Sequence, residues 1–189
     1  MHRTKVVWLL AVLSSALPLA AEMLTFELDP RATSVQFSLG ATLHTVHGSL
    51  KAESGTIQVD PETNKASGSV VLDATSAETG NSRRDFKMHE KILESRQYPD
   101  IVFHVERISG ALHRTGRSEV QLHGYLEMHG ARRPIALPAT VLAEGNRVQA
   151  TAILTIPYLE WGLKDPSFFV LRVDKEVHVT VRAAGRLAS

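Results

Sequence analysis

The chain has 189 residues, of which 43% are hydrophobic and 22% are charged. This length and hydrophobic fraction suit a single globular domain and exclude a disordered chain. The sequence contains no cysteine, which excludes disulfides, thiolate metal sites, iron–sulfur clusters and cysteine nucleophiles. Its 21 basic and 20 acidic residues nearly cancel, so we do not expect binding to nucleic acid by electrostatics alone.

The first 21 residues are typical of a secretory signal peptide. Arg3 and Lys5 form a positive start, and residues 6–19 are apolar or small. The sequence Leu-Ala-Ala that follows predicts cleavage after Ala21, with Ala20 as the alternative. A membrane anchor is less favoured, because two serines and a proline interrupt a stretch that is already short for a bilayer.

The rest of the chain, residues 22–189, is predicted to be one domain that lies in the periplasm or is secreted. No repeat, low-complexity tract or linker rich in proline and glycine divides it. No later segment is apolar enough to cross a membrane. An exported chain without disulfides is common in the bacterial periplasm.

Apolar and polar residues alternate along most of this domain, which is typical of half-buried β-strands. Residues 120–128 show the pattern clearly, because every second side chain there is apolar or glycine. The same alternation recurs at residues 35–43, 70–74, 101–105, 135–141, 148–156 and 177–181. Short turn sequences at residues 61–65, 130–134 and 144–146 predict that consecutive strands are antiparallel neighbours.

Residues 83–95 interrupt the alternation and are predicted to form a single short helix. Ser82 is expected to cap the helix N-terminus. Phe86 and Leu93 fall on one helical face. Four charged residues of the segment are expected to form a solvated face: Lys87, Glu90, Lys91 and Glu94. A proline shortly after the segment prevents the helix from continuing.

These elements predict an all-β fold: a closed or nearly closed antiparallel β-barrel of about eight strands with one short helix. A β-sandwich is the alternative. Several small residues lie on the predicted inner faces, where they either leave room for a ligand or merely fit the taper of a packed barrel. They are Gly68, Ala74, Gly124, Ala139, Ala150 and Ala152.

Five stretches then resemble one known family in their order and spacing. They are residues 44–48 (HTVHG), 84–89 (RDFKMH), 98–103 (YPDIVF), 128–130 (MHG) and 157–167 (PYLEWGLKDPS). As a set they resemble the YceI-like family of secreted bacterial proteins, over nearly the whole mature chain. The chain departs from the commoner family pattern at residues 86–93, where FKMHEKIL stands in place of a histidine that leads into a Phe-rich segment.

The resemblance implies a lipocalin-like antiparallel barrel with a long hydrophobic pocket and no catalytic residues. Family members are associated with polyisoprenoids, isoprenoid quinones or other long-chain amphiphiles. The resemblance therefore implies a binding protein that sequesters or carries such a lipid, with no cofactor apart from the bound lipid. Because of the departure at residues 86–93, it does not imply which lipid is bound.

Binding a long lipid requires an apolar cavity with a mouth, and a few polar groups can hold the head of the ligand. The wall candidates are Phe37, Leu39, Val46, Leu72, Phe103, Leu122, Leu126 and Leu154. The lid candidates are Phe86, Ile92, Leu93, Trp161 and Phe168. Arg84 is the head-group candidate, because a guanidinium matches phosphate geometry. The alternatives are ordinary core packing, a plug formed by the aromatic segment, and helix capping with an ion pair at Arg84.

Two rival functions remain. The first is a metal protein or enzyme that uses His44, His47 and His129. A spacing of three places His44 and His47 on opposite faces of a strand, which is poor for shared ligation, so no metal site is predicted. The common hydrolase, phosphate-loop and dinucleotide motifs are missing from the sequence. The second rival is a ligand-free barrel that acts on a protein partner, and an exposed edge strand would also let two copies pair.

Overall fold

The computed structural model describes residues 23–167 and 172–188, whose strands form one antiparallel sheet that closes on itself. The strands are β1 (Leu24–Leu28), β2 (Ser34–Leu39), β3 (Val46–Val59), β4 (Ala66–Glu78), β5 (Asp100–Gly110), β6 (Gly116–Met128), β7 (Ala131–Glu144), β8 (Arg147–Ile156) and β9 (Val177–Ala188). From β3 to β9, consecutive strands are neighbours, and β1 and β2 pair with both β3 and β9 to close the sheet.

β1 and β2 together occupy one strand position in the barrel wall, between β3 and β9. The nine strands therefore form an eight-stranded barrel. The break between them follows from the sequence. The Asp29 side chain accepts a hydrogen bond from the Arg31 amide at 3.0 Å, and Pro30 begins a single 3-10 turn, Pro30–Ala32. The prediction of a closed antiparallel barrel of about eight strands is confirmed, and the sandwich alternative is wrong. Closure also pairs both edges of the sheet, which removes the edge strand invoked for pairing of two copies.

The connections lie at two ends of the barrel. The helix end carries residues 40–45, 79–99, 129–130, 157–167 and 172–176. The turn end carries residues 60–65, 111–115 and 145–146, together with both ends of the described chain. No helix in residues 23–167 and 172–188 is long and apolar enough to cross a membrane.

The predicted helix is an α-helix, α1 (Ser82–Lys87), that continues as a π-helical turn, Met88–Leu93. Its N-cap is Asn81 and not Ser82, because the Asn81 side chain accepts the Arg84 amide hydrogen bond at 3.0 Å while its own backbone is extended. The segment ends at Glu94, whose φ of 46° is left-handed and cannot continue a helix.

Two predicted boundaries are also wrong by a few residues. The alternation at residues 35–43 continues past the true end of β2 at Leu39, and Leu43 lies in a loop with 77% of its side chain exposed. The link predicted at residues 130–134 is a two-residue turn, His129–Gly130, with φ values of 52° and 73°. Positive φ at both positions matches the twist of the two strands, so β7 begins at once.

Candidate ligand-binding cavity

A cavity of about 1220 Å³ runs through the barrel and is lined by side chains from all nine strands. Its lining extends from Arg83 at the helix end to Leu112 and His113 at the turn end. Pockets for small molecules are typically roughly 300–1,000 Å³. The interior of this barrel is therefore large enough for a ligand longer than a typical metabolite.

Small side chains on three neighbouring strands keep the centre of the barrel open. Ala152 on β8 lies opposite Ala139 on β7, and Ala150 on β8 lies opposite Ala183 on β9. All four residues line the cavity, as does Ala74 on β4. A methyl group cannot reach the barrel axis, so these positions leave space that leucine or phenylalanine would fill.

The two glycines that were predicted to lie on inner faces, Gly68 and Gly124, do not line the cavity. A side chain on Gly124 would clash with the carbonyl oxygen of His104, where β5 shifts register between Val105 and Arg107. Gly68 has a φ of 111°, and a side chain there would clash with the carbonyl oxygen of Thr56. Both glycines therefore allow two strands to approach closely, which is a backbone requirement.

The structure places the predicted wall residues around the cavity. The residues that line it are Phe37, Leu39, Val46, Leu72, Phe103, Leu122, Leu126 and Leu154. Phe103 and Leu126 are buried, because they also pack in a hydrophobic cluster at the helix end. Leu122 and Leu154 stay half-buried although they point inward, because they face the open centre of the barrel.

The predicted lid residues have three different positions. Phe86, Ile92 and Leu93 line the cavity from the helical segment, and the Phe86 ring is 65% exposed. Trp161 does not line the cavity, so its prediction as a lid residue is wrong. Its indole N–H donates to the Leu126 carbonyl at 3.2 Å, which holds the ring in the hydrophobic cluster behind the wall. Phe168 lies outside the described residues.

Arg84 lines the cavity at the helix end, where Thr79 orients it. Its Nε donates to the Thr79 hydroxyl at 2.7 Å, and its Nη2 donates to the Thr79 carbonyl at 3.0 Å. Asp85 accepts the Thr79 amide at 2.9 Å, so Thr79 bridges the two charged side chains. These bonds use only part of the five-donor guanidinium, and the rest is available to a polar ligand group.

The cavity mouth carries further cations, of which Lys87, Lys91 and Lys164 were not predicted as ligand partners. Arg83, Lys87, Lys91 and Lys164 all line the cavity at the helix end. The first three recur at intervals of four residues, a spacing that places side chains on one side of a helix. This spacing is the sequence signal that could have identified a basic face at the cavity mouth. The same spacing is also typical of an ordinary solvent-exposed helix face.

An ionic cluster joins three segments of the helix end. His129 Nε2 donates to Glu94 at 2.8 Å, and Lys164 Nζ donates to the other carboxylate oxygen at 3.2 Å. The Tyr98 ring packs on His129 with centroids 4.4 Å apart. The His129 hydrogen bond, followed by that of Lys164, holds the pKa of Glu94 below its ordinary value. The cluster therefore ties the end of the helical segment to the β6–β7 turn and to the segment after β8.

The lowered pKa of Glu94 makes a prediction about acid stability. Ionised Glu94 stabilises the fold above about pH 4, and this contribution is lost as the pH falls through its folded-state pKa. Glu94→Gln should therefore lower the melting temperature at neutral pH and flatten its fall in acid. Circular dichroism melts between about pH 7 and pH 3 measure the pH dependence of the melting temperature.

Glu90→Gln is the control, because Glu90 faces the exposed Arg96 at 3.7 Å. Parallel curves for wild type and Glu94→Gln would contradict the prediction.

A second carboxylate, that of Asp165, joins residue 167 to residue 175. Asp165 accepts hydrogen bonds from Lys175 Nζ and from the Ser167 amide, and these lower its pKa to about 2. The Tyr158 hydroxyl donates to the Asp174 carbonyl at 3.0 Å, and burial raises the pKa of Tyr158. These contacts fix the chain on both sides of residues 168–171.

His89 and His129 form hydrogen bonds to protein groups at the helix end. His44 and His47 are exposed, and His129 is bonded to Glu94. His89 bonds the Ala77 carbonyl through Nε2 at 2.8 Å, so its Nδ1 accepts from the Ser95 hydroxyl at 2.9 Å. In the part of the chain that the structure describes, no three His, Cys, Asp or Glu side chains are grouped to hold a metal ion.

The fold and the cavity together define a class of protein, the lipocalin-like antiparallel barrel with an apolar interior. Within this class, the model of the YceI-like domain matches residues 26–184. The chain therefore belongs to the YceI-like family, as the resemblance of its motifs predicted.

Known relatives share part of the sequence. The UPF0312 protein of Pseudomonas savastanoi pv. phaseolicola is 30% identical over an alignment of 131 residues, and the match covers 64% of this chain and 65% of the relative. The chain thus spans slightly less than two thirds of that relative's length. The UPF0312 protein of Pseudomonas putida strain F1 is 28% identical over 144 residues, covering 71% of this chain and 72% of the relative.

Solved structures share the fold at low sequence identity. A polyisoprenoid binding domain from Saccharophagus degradans, implicated in plant cell wall breakdown, superimposes with a TM-score of 0.69 and 17% identity, covering 87% of this chain and 99% of that one. Burkholderia cenocepacia BcnA gives a TM-score of 0.67 and 16% identity, covering 83% of this chain and 98% of that one. These similarities establish the barrel fold.

Proposed function

We propose that this protein binds a long-chain apolar lipid, such as a polyisoprenoid or an isoprenoid quinone, inside the barrel and sequesters or carries it. The observation that carries the proposal is the cavity of about 1220 Å³, which inward apolar side chains of every strand surround. Membership of the YceI-like family supports it. So does the shared fold with a protein described as a polyisoprenoid binding domain.

The physics of the cavity favours a long ligand over a short one. Burial of apolar surface contributes about 25 cal/mol per Å², so a tail that buries roughly 400 Å² gains about 10 kcal/mol. Association itself costs an estimated 4–15 kcal/mol. A short hydrocarbon would not offset that cost in an interior with few polar partners, whereas a tail of several isoprene units would.

The ligand is proposed to lie with its tail among the inward side chains and its polar end at the helix end. There Arg84, with donors left over from its bonds to Thr79, is the proposed partner for the head group. The mechanism is binding and release and involves no chemical turnover. We place the protein in the periplasm or outside the cell on the basis of its leader-like residues 1–21. After cell fractionation, the protein should be found outside the cytoplasm with residue 22 as its first residue, and a cytoplasmic protein that retains residues 1–21 would contradict this placement.

Filling the cavity without adding charge should weaken binding in proportion to the space removed. In an Ala150→Trp variant the indole would occupy the open centre and displace about 100 Å² of ligand contact, which costs roughly 2.5 kcal/mol. The dissociation constant for a long-chain isoprenoid alcohol, measured by fluorescence titration, should therefore rise between about tenfold and a hundredfold.

Thr151→Trp is the matched control, because Thr151 is the next residue on β8 and points outward. That variant should bind as the wild type does. Equal binding by all three proteins, each folded by circular dichroism, would contradict the proposal that the ligand occupies the cavity.

A further inference from the structure

The helix end of the barrel exposes both apolar and basic side chains around the cavity opening. Together we call them the mouth face: Leu43, Arg83, Phe86, Lys87 and Lys91. Leu43 is 77% exposed and Phe86 is 65% exposed, although such residues are usually buried. Phe86 also lines the cavity, and so do Ala41 and Val46 on either side of Leu43. The exposed apolar groups therefore adjoin the cavity opening.

The three cations of the mouth face lie on one side of the helical segment. Arg83 and Lys87 are one α-helical turn apart, and Lys91 follows on the next turn. All three are exposed and line the opening. Among residues 23–167 and 172–188, none of the three forms an ion pair with a carboxylate.

Among the described residues, the acidic side chains of the same segment form no salt bridge with these cations, because each has another partner. Asp85 accepts the hydrogen bond of the Thr79 amide. Glu90 faces Arg96 at 3.7 Å, and Glu94 lies between His129 and Lys164. The side of the helix that borders the cavity thus carries three cations that form no salt bridge within the described part of the chain.

We propose that the mouth face docks on an anionic phospholipid membrane and so places the cavity opening against the bilayer. Lysine and arginine beside exposed phenylalanine and leucine are the side chains that bind a membrane interface, with the cations on the headgroups and the apolar groups beneath them. An acidic protein partner would satisfy the cations, but it would not require an apolar ring at the lipid opening. The idea rests on the proposed function, because docking would let a lipid enter the cavity without crossing water.

The test is sedimentation of the full mature chain with vesicles. One set is pure phosphatidylcholine, and the other is an equal mixture of phosphatidylcholine and phosphatidylglycerol. The protein should bind the mixed vesicles, bind the neutral ones far more weakly, and be released by high salt. A Lys87→Glu, Lys91→Glu double variant should lose binding to the mixed vesicles by about tenfold or more. Phe86→Ser should also weaken it.

Controls separate the mouth face from total charge. A Lys65→Glu, Arg147→Glu variant changes the net charge equally at the turn end, where both side chains are exposed and away from the cavity. This variant should retain most of the binding. Equal losses in the two double variants, or wild-type binding indifferent to phosphatidylglycerol, would overturn the proposal.

Ala150→Trp separates the docking proposal from the proposed function. Because Ala150 lies inside the barrel, this variant should sediment with mixed vesicles as the wild type does while its uptake of isoprenoid falls. Loss of its vesicle binding would overturn docking through the mouth face. A wild-type protein that binds isoprenoid but ignores anionic vesicles would overturn docking and leave the proposed function standing.

Discussion

A Leu122→Arg variant is expected to fold as a barrel and to take up no measurable long-chain isoprenoid. Leu122 lines the cavity between Ile108 on β5 and Leu137 on β7. In the empty barrel the new guanidinium can remain hydrated, but an apolar tail would have to strip that water away. Burying an unpaired charge costs at least about 4 kcal/mol, which corresponds to a loss of affinity of about a thousandfold.

The matched control is Gln121→Arg, which adds the same charge one residue earlier on β6. Gln121 is exposed on the outer face of the barrel, so this variant should bind isoprenoid normally. Titration with a long-chain isoprenoid alcohol measures both variants, and circular dichroism verifies that they fold. If folded Leu122→Arg retained wild-type affinity, the ligand would not contact the middle of the cavity.

Trp161→Ala is expected to cause the largest loss of stability, about 3–5 kcal/mol in the free energy of unfolding. Trp161 is 5% exposed and packs with Leu126, Met128 and Ile156 in the hydrophobic cluster at the helix end. Its truncation leaves a cavity behind the wall and removes the donor to the Leu126 carbonyl. Urea unfolding measures the loss.

Leu159→Ala is the control for Trp161→Ala, because Leu159 lies in the same 3-10 turn, Tyr158–Trp161, with 40% of its side chain exposed. It should change the free energy of unfolding by roughly 0.5 kcal/mol or less. Similar losses in both variants would show that the whole turn, and not the indole, supports the wall.

The barrel was predictable because the side-chain period of a strand is two. Once alternation assigned Leu122 and Leu154 to inner faces, their place in the wall followed from closure of the sheet. The short links were also visible, since the turn at residues 144–146 contains a glycine that adopts a φ of 62°. The boundaries were less clear, because alternation continues through Ala41 and Leu43 after the β2–β3 pairing has ended.

The open centre could not be decided from the sequence. A small inward residue has the same local pattern whether it borders a void, as Ala150 does, or allows two strands to approach, as Gly124 does. Only the register of neighbouring strands distinguishes the two cases.

Trp161 was wrongly predicted to be a lid residue for a similar reason, because its hydrogen bond to Leu126 joins residues 35 positions apart. The sequence shows the spacing of the cations along the helical segment. Whether they border the cavity depends on where that segment lies on the barrel, which the sequence does not show.

The most direct measurement is mass spectrometry of an organic extract of the protein purified from its own host, beside a parallel extract of the Leu122→Arg variant. A long-chain isoprenoid lipid is expected in near-stoichiometric amount in the wild-type extract and is expected to be lost from the variant extract. A wild-type extract without lipid, from a protein that also fails to bind added isoprenoid alcohols and quinones, would contradict the claim that the barrel interior is a lipid site.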